Sequence, residues 1–250
     1  ANGVQEVVDV NPDRIIEKPE AQLVLDYFMP YEVLGDNPFT KEVEAPVPYP
    51  LAVRVLNVGY GSAASLKIDS AQPKIVSNAQ GLLIDFKLLG SSVNDNLVSP
   101  SLAVQIGTLS SKQAATASWE MISTLSGRFS EFKATFSHAS ELGGELTSLI
   151  KETNTSYLAH RVKADLPGRD GRLDFLAYKD HFGPTYELYE SEIPNGTGKT
   201  EDAKSPVSAV AVTSPPARPT PSSPEVQMTV LADQTGWIYA KTSDPSQGLL

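Results

Sequence analysis

The segment around residue 170 partly resembles a calcium-binding loop. Asp165, Asp170 and Asp174 flank Gly171. Calcium loops place oxygen ligands at alternating positions around a glycine and end on a bidentate acid. Here the earlier ligand positions fall on residues without side-chain oxygens, and two arginines add positive charge. We therefore interpret the segment as a β-turn and predict neither a metal site nor a cofactor.

Side chains that could carry out catalysis are scattered along the sequence. The three histidines, His138, His160 and His181, have no second histidine at metal spacing and no nucleophile motif beside them. Carboxylates such as Asp85 and Glu120 lie within strand patterns, on the faces expected to meet solvent. The absence of cysteine excludes disulfides and thiolate chemistry. The sequence thus predicts no catalytic residues and favours a protein that is not an enzyme.

Trp237 and Tyr239 are two residues apart, so they share one face of a strand. Such a pair could form an aromatic platform for a sugar or pack into a core. Both interpretations remain open at this point.

Glycan attachment has candidate acceptors of two kinds. Asn154-Thr-Ser and Asn195-Gly-Thr match the N-glycosylation pattern. A Ser/Thr/Pro-rich tract suits O-glycosylation of a secreted eukaryotic chain, and a bare linker is the alternative. The hydroxyl candidates in that tract are Thr213, Ser214, Thr220, Ser222 and Ser223.

Composition narrows the class of partner. The chain has 250 residues, 40% of them apolar, and a net charge of −10 with no cluster of lysine and arginine. Nucleic acids and anionic membranes both require a focused positive patch, so neither is predicted as a partner. No apolar run is long enough to cross a bilayer, so membrane insertion is not predicted.

Alternating apolar residues predict an all-β protein. In Leu51–Ile68, two alternating runs flank Asn57, Gly59 and Gly61, which we expect to supply the positive φ angles of a reversal. Further runs at similar spacing predict an antiparallel β-sandwich of the immunoglobulin-like kind. The residues expected to face its core are Val53, Val55, Ile84, Phe86, Val104, Trp119, Phe132 and Phe136.

The Asn57-x-Gly59-x-Gly61 pattern, followed by Ala64 and Leu66, resembles the opening of CARDB/APHP-type immunoglobulin-like modules. The later Gly107-x-Leu109 and the alternation through Trp119 are similar to their closing strands, so the resemblance covers roughly residues 50–137. It implies a structural module that is extracellular or at the cell surface, and it implies no catalytic residues.

The pattern divides the chain into five parts. They are an extended N-terminal segment (1–21), the sandwich (22–140), a mixed β and irregular region (141–193), a Pro/Ser/Thr-rich linker (194–224) and a β-hairpin that could begin a second β domain (225–250).

The N-terminal segment contains strand-like pieces without a hairpin partner of their own. We expect Leu23–Phe28 to fold back onto the sandwich. Val7, Val8 and Val10 form the candidate assembly strand, which would complete a sheet in a neighbouring copy; a disordered tail is the alternative.

The sequence therefore favours a structural, self-assembling filament or coat subunit, with other copies of itself as partners and with covalent glycans as an option. Two alternatives remain. One is a carbohydrate-binding or adhesive module of a longer secreted protein, and the other is an accessory domain of a secreted enzyme.

Overall fold

The computed structural model describes residues 19–70, 74–75, 84–131, 135–139, 149–164, 167, 169–180, 184–191, 204–214, 228–231 and 235–242. Every regular element in these ranges is a strand, so the predicted all-β class is confirmed. The strands are β1 (Leu23–Met29), β2 (Glu32–Val33), β3 (Tyr49–Asn57), β4 (Ala63–Ser70), β5 (Lys74–Ile75), β6 (Phe86–Val93), β7 (Asn96–Val98), β8 (Val104–Leu109), β9 (Ala114–Ser123), β10 (Gly127–Glu131), β11 (Thr135–Ala139), β12 (Ile150–Lys163), β13 (Leu173–Tyr178), β14 (Thr185–Tyr189), β15 (Lys204–Val210), β16 (Val212–Ser214), β17 (Thr229–Val230) and β18 (Trp237–Ala240).

One large sheet organises these strands. It has ten strands in the order β18-β15-β14-β13-β12-β1-β3-β9-β6-β7. Smaller sheets have the orders β11-β4-β8, β2-β10-β5 and β16-β17. Most pairings are antiparallel, but β1 pairs with β12, and β15 with β18, in parallel. The parallel pairs bring distant parts of the chain into the same sheet.

The sandwich core lies between the centre of the large sheet and the sheet β11-β4-β8. Alternate residues of β1, β3 and β9 point to this side and pack against Leu66 and Ile68 of β4 and Val104 and Leu109 of β8. Trp119 is fully buried there, and its indole Nε1 donates to the carbonyl of Ser101 at 3.0 Å. The sandwich predicted from alternation is therefore present.

The predicted core residues fall into three groups. Val53, Val55, Val104 and Trp119 are buried, as expected. Phe86 is half-buried against the core, and Ile84 is half-buried just before β6 begins. Phe132 lies outside the described residues, as does the side chain of Phe136.

The connection between β3 and β4 corrects one expectation. Gly59 and Gly61 do not have positive φ angles. They are needed because the chain at residues 19–22 passes directly over them: a Cβ on Gly61 would lie 2.1 Å from the carbonyl oxygen of Pro19. The expectation that these residues supply left-handed backbone was wrong, and close backbone approach is the physical reason for glycine.

Asn57 holds the same connection together and is fully buried. Its Nδ2 donates to the carbonyls of Gly61 at 2.8 Å and of Leu109 and Ser110 at 3.1 Å. Its Oδ1 accepts from the backbone N–H groups of Gln22 at 3.2 Å and Gly59 at 3.1 Å. One amide side chain therefore joins three segments that are far apart in sequence.

Leu23–Phe28 joins the sandwich between β3 and β12, as expected. The mostly polar residues 91–101 do not form one long loop. They contain the last three residues of β6 and all of β7, and the chain turns between the two strands through Asn94 and Asp95, with φ of 47° and 63°.

The C-terminal region differs from the sequence prediction in two ways. Lys204–Val210 forms a sheet strand instead of part of an extended linker. The strands of the expected C-terminal hairpin do not pair with each other, because β17 pairs with β16 and β18 with β15.

Replacing Trp119 with alanine should lower the free energy of unfolding by about 3–5 kcal/mol, because it leaves a large cavity in the core. Urea unfolding would measure this. Leu97→Ala is the matched control, since Leu97 is 87% exposed, and it should change stability by less than about 0.5 kcal/mol. A loss below about 1 kcal/mol for Trp119→Ala would contradict this packing.

Candidate functional site

The second face of β1 and β3 is covered by the C-terminal half of the large sheet. Strand β12 makes this possible because its first half pairs with β1 and its second half pairs with β13. The sheet then folds over, so that Phe28 stacks on Phe175 with centroids 4.5 Å apart and meets the edge of Tyr189 at 5.0 Å. A second, smaller core therefore lies on the opposite side of β1 and β3 from the sandwich core.

A buried charge network lies at the centre of this second interface. Arg54 is fully buried, and its Nη2 and Nε donate to Oδ2 of Asp26 at 2.6 and 3.1 Å. Its Nη1 donates to the backbone carbonyl of Glu190 at 2.8 Å, and the guanidinium lies 5.0 Å from the ring centre of Tyr189. Arg54 thus joins β1, β3 and the end of β14.

Asp26 collects the remaining donors. Asn154 Nδ2 donates to its Oδ1 at 3.0 Å, and Lys204 Nζ lies 3.4 Å from the same oxygen. Burial by itself raises the pKa of Asp26, but Arg54, Lys204 and Asn154 together outweigh burial and lower the pKa below its ordinary value. The carboxylate is therefore held ionised between four strands.

Glu190, just after β14, is a buried acid with weaker support. Its side chain is 1% exposed and its Oε1 lies 3.2 Å from Arg169 Nη2. Within the described part of the chain, neither carboxylate oxygen accepts a hydrogen bond of acceptable geometry. Burial raises the pKa of Glu190, Asp174 raises it further, and Arg169 and Arg54 only partly oppose these effects.

Two aspartates of the calcium-like segment stabilise the backbone, and the third, Asp165, lies outside the described residues. Asp174 accepts from the N–H groups of Ser191 at 2.7 Å and Ala164 at 3.1 Å, and Asp170 accepts from that of Arg172 at 2.8 Å. Burial nevertheless raises the pKa of Asp174. Within the described ranges, no three histidine, aspartate or glutamate side chains are arranged to hold a metal ion.

A cluster of aromatic residues lies on the outer face of the C-terminal half-sheet; we call it the outer aromatic cluster and define it as His160, Tyr178, Tyr186, Trp237 and Tyr239. The ring centre of Tyr186 lies 5.1 Å from that of Tyr178 and 4.7 Å from that of Tyr239. His160 Nε2 lies 2.9 Å from the hydroxyl of Tyr239. The sequence pointed only to Trp237 and Tyr239, since the other members come together through pairing between strands that are remote in sequence.

The candidate glycan acceptors lie in different environments. Asn154 lies in β12 with its amide directed at Asp26, so a glycan on Nδ2 would disrupt the buried network. Thr213 is exposed on β16 and donates to the carbonyl of Thr229 at 3.1 Å. The other acceptors, Asn195, Thr220, Ser222 and Ser223, lie outside the described residues, as do the side chain of Ser214 and the assembly candidates Val7, Val8 and Val10.

The ends of the large sheet are the third feature. In the described residues, β7 pairs only with β6, and β18 only with β15. Leu97 on β7 is 87% exposed and Ile238 on β18 is 38% exposed. Both ends therefore present open backbone groups beside apolar side chains.

No family model, curated protein or solved structure matches this chain. The resemblance to CARDB/APHP-type modules therefore stays a prediction. The described residues contain no helix with the length and apolar character needed to span a membrane.

The two buried acids should give opposite dependences of stability on pH. The lowered pKa of Asp26 means that its contribution is present at neutral pH and lost as pH falls through the folded-state value. The raised pKa of Glu190 means that its contribution is lost as pH rises through the folded-state value.

Asp26→Asn should therefore destabilise the protein by about 3–5 kcal/mol at neutral pH, because it leaves Arg54 buried without its ion pair. The loss of stability caused by Asp26→Asn should become smaller in acid, where the unsubstituted protein loses the Asp26 contribution as well. Relative to the unsubstituted protein, Glu190→Gln should gain stability as the pH rises above the ordinary glutamate pKa of about 4.3. Urea unfolding from about pH 2 to about pH 7 measures both, because the Asp26 effect lies below the ordinary aspartate pKa of about 3.9, and Glu42→Gln at an exposed position is the control. A constant offset for Glu190→Gln at every pH would contradict the assignment.

Proposed function

We propose that this protein is a non-enzymatic structural component, extracellular or at the cell surface, whose copies assemble by strand addition. The observation that carries this proposal is that, among the described strands, β7 and β18 at the two ends of the ten-stranded sheet each pair on one side only. An unpaired edge offers a row of N–H and C=O groups to any complementary strand.

The composition of the end strands supports the proposal. Soluble monomers usually protect an edge with lysine, proline, a bulge or a very short edge strand, and of these devices β7 and β18 show only the short length, three and four residues. Strand β7 is Asn96-Leu-Val98 and β18 is Trp237-Ile-Tyr-Ala240, so neither contains a charge or a proline. The side chains beside the open backbone are therefore compatible with pairing.

The buried charge network supports a structural role as well. The guanidinium of Arg54 bonds Asp26 and the Glu190 carbonyl, and Asp174 bonds two backbone N–H groups. The Arg54 contacts join β1 and β3 of the sandwich to the residue after β14, and the Asp174 contacts join β13 to the residues that follow β12 and β14. The network is thus suited to holding a structural module in one shape.

The N-terminal segment is the proposed donor, with Val7, Val8 and Val10 pairing to an open end of the next copy. Pro19–Gln22 packs on the β3–β4 connection, where the carbonyl of Glu20 accepts from Tyr60 and Gly61. The donor would therefore leave from a fixed point, and the contact would be head-to-tail, which extends into a fibre unless the rotation closes a ring.

Assembly can be tested at the sheet ends without altering the core. Leu97→Lys and Ile238→Lys place a charge on each open edge and should shift the protein toward monomer in sedimentation velocity and shorten fibres in negative-stain images. Val43→Lys is the matched control, because Val43 is 90% exposed and lies outside the strands. An equal loss of assembly in the control, or a monomeric unsubstituted protein at high concentration, would overturn the proposal.

The donor strand is tested separately by deleting residues 1–18. The deletion stops there because residue 19 onward packs against Gly59 and Gly61. The truncated protein should stay folded, with unchanged thermal unfolding, but lose its fibres. Fibres identical to those of the full chain would exclude these residues as the donor.

A further inference from the structure

We propose that the outer aromatic cluster is a binding site for neutral polysaccharides. The site belongs to one chain and uses side chains on a sheet face, whereas strand addition uses backbone groups at a sheet edge. It therefore stands independently of the proposed assembly.

The cluster lies on a concave surface. Strands β12 and β18 are separated by four steps in the sheet, which would place them about 19 Å apart if the sheet were flat. Instead the rings of His160 and Tyr239 have centroids 5.6 Å apart. The half-sheet must therefore curl, so that side chains from four of its strands converge on one side. Concave, largely apolar surfaces with a few polar groups are typical of ligand sites.

The outer aromatic cluster is left half-exposed, in contrast to the aromatic group around Phe28. Phe28, Phe175 and Tyr189 on the opposite face are 0%, 2% and 5% exposed. Tyr178, Tyr186, Trp237 and Tyr239 are all half-buried, and His160 is exposed. Three of the outer rings also pack on an apolar cluster, which consists of the buried Leu176, Leu188 and Val207. Unlike the inner rings, the outer rings retain surface that an additional layer could cover.

The chemistry of the cluster selects the class of that layer. Its five side chains include no carboxylate, lysine or arginine. Burial raises the pKa of the Tyr186 and Tyr239 hydroxyls, and the neighbouring Tyr178 raises both further, so the two hydroxyls stay neutral at physiological pH. A sugar ring presents an apolar face to an aromatic ring and hydroxyls at its rim, where tyrosine, histidine and indole groups can donate or accept.

Charge argues against other polymers. The protein has a net charge of −10, which repels nucleic acids and acidic polysaccharides at long range. A cationic ligand would lack a carboxylate within the cluster to neutralise it. Neutral glycans match both the local and the overall charge.

Binding can be followed through one tryptophan. The chain has two, and Trp119 is fully buried, so a ligand on the surface changes the emission of Trp237. The full chain is titrated with soluble β-glucan, mannan and xylan as neutral probes, and with alginate as an anionic probe. We expect saturable quenching or a blue shift with at least one neutral probe and none with alginate.

Single substitutions then locate the site, with affinity measured by calorimetry. Tyr186→Ala and Tyr178→Ala should each weaken binding about tenfold, which corresponds to about 1.4 kcal/mol. Tyr239→Phe keeps the ring but removes the hydroxyl that meets His160, so its loss should be smaller. Tyr60→Ala is the control, since Tyr60 is 81% exposed and lies on the β3–β4 connection; thermal unfolding confirms that each variant is folded.

Binding of a neutral probe that weakens in the cluster variants but not in Tyr60→Ala supports the proposal. Absence of binding to all neutral probes at millimolar sugar concentration would overturn it. Equal affinity in folded Tyr186→Ala and the unsubstituted protein would overturn it as well, and so would a preference for alginate.

Discussion

The buried ion pair between Arg54 and Asp26 is the interaction on which the arrangement of the large sheet depends. Desolvating two charges costs several kcal/mol each, and the cost is offset only when geometry and further hydrogen bonds are good. Here Lys204, Asn154 and the Glu190 carbonyl complete the donors and acceptors. Because these partners come from β12, β15 and the residue after β14, the pair is satisfied only when the C-terminal half-sheet has folded over the sandwich.

This dependence makes the two cores cooperative. Strands β1 and β3 carry apolar residues on both faces, so neither face can meet water without a large loss of buried apolar area. One face is covered by β4 and β8, and the other by Phe175, Ala177 and Tyr189. Removing the C-terminal half-sheet would expose the second face and leave Arg54 and Asp26 without most of their partners. Residues beyond the predicted sandwich boundary are therefore part of the same folded unit.

Local patterns predicted the strands well and their partners poorly. Apolar residues alternate along Ala114–Ser123, which forms β9, and the strand-like runs Leu173–Tyr178 and Thr185–Tyr189 pair with each other as β13 and β14. The parallel pairing of β1 with β12 joins residues about 130 apart in sequence, and no local signal specifies it. Lys204–Val210 contains a proline, which lacks a donor for the strand ladder, so the sequence predicts a linker there. The segment nevertheless forms β15, with Pro206 inside the strand. Pairing between strands that are distant in sequence also assembles the outer aromatic cluster. The sequence therefore indicated Trp237 and Tyr239, which share a strand, but not the rings that other strands bring beside them.

The charged positions show what binary patterning misses. Arg54 and Asp26 occupy positions where alternation predicts a solvent-facing side chain, and in a simple two-layer sandwich that prediction would hold. A third layer reverses this prediction. The face opposite the sandwich core becomes an interior, and a charged side chain on that face must be neutralised by an ion pair. A lone charge in an otherwise apolar strand, such as Arg54 within Leu51–Leu56, therefore indicates a covered second face. Its partner is then expected directly across a neighbouring strand, which is where Asp26 lies.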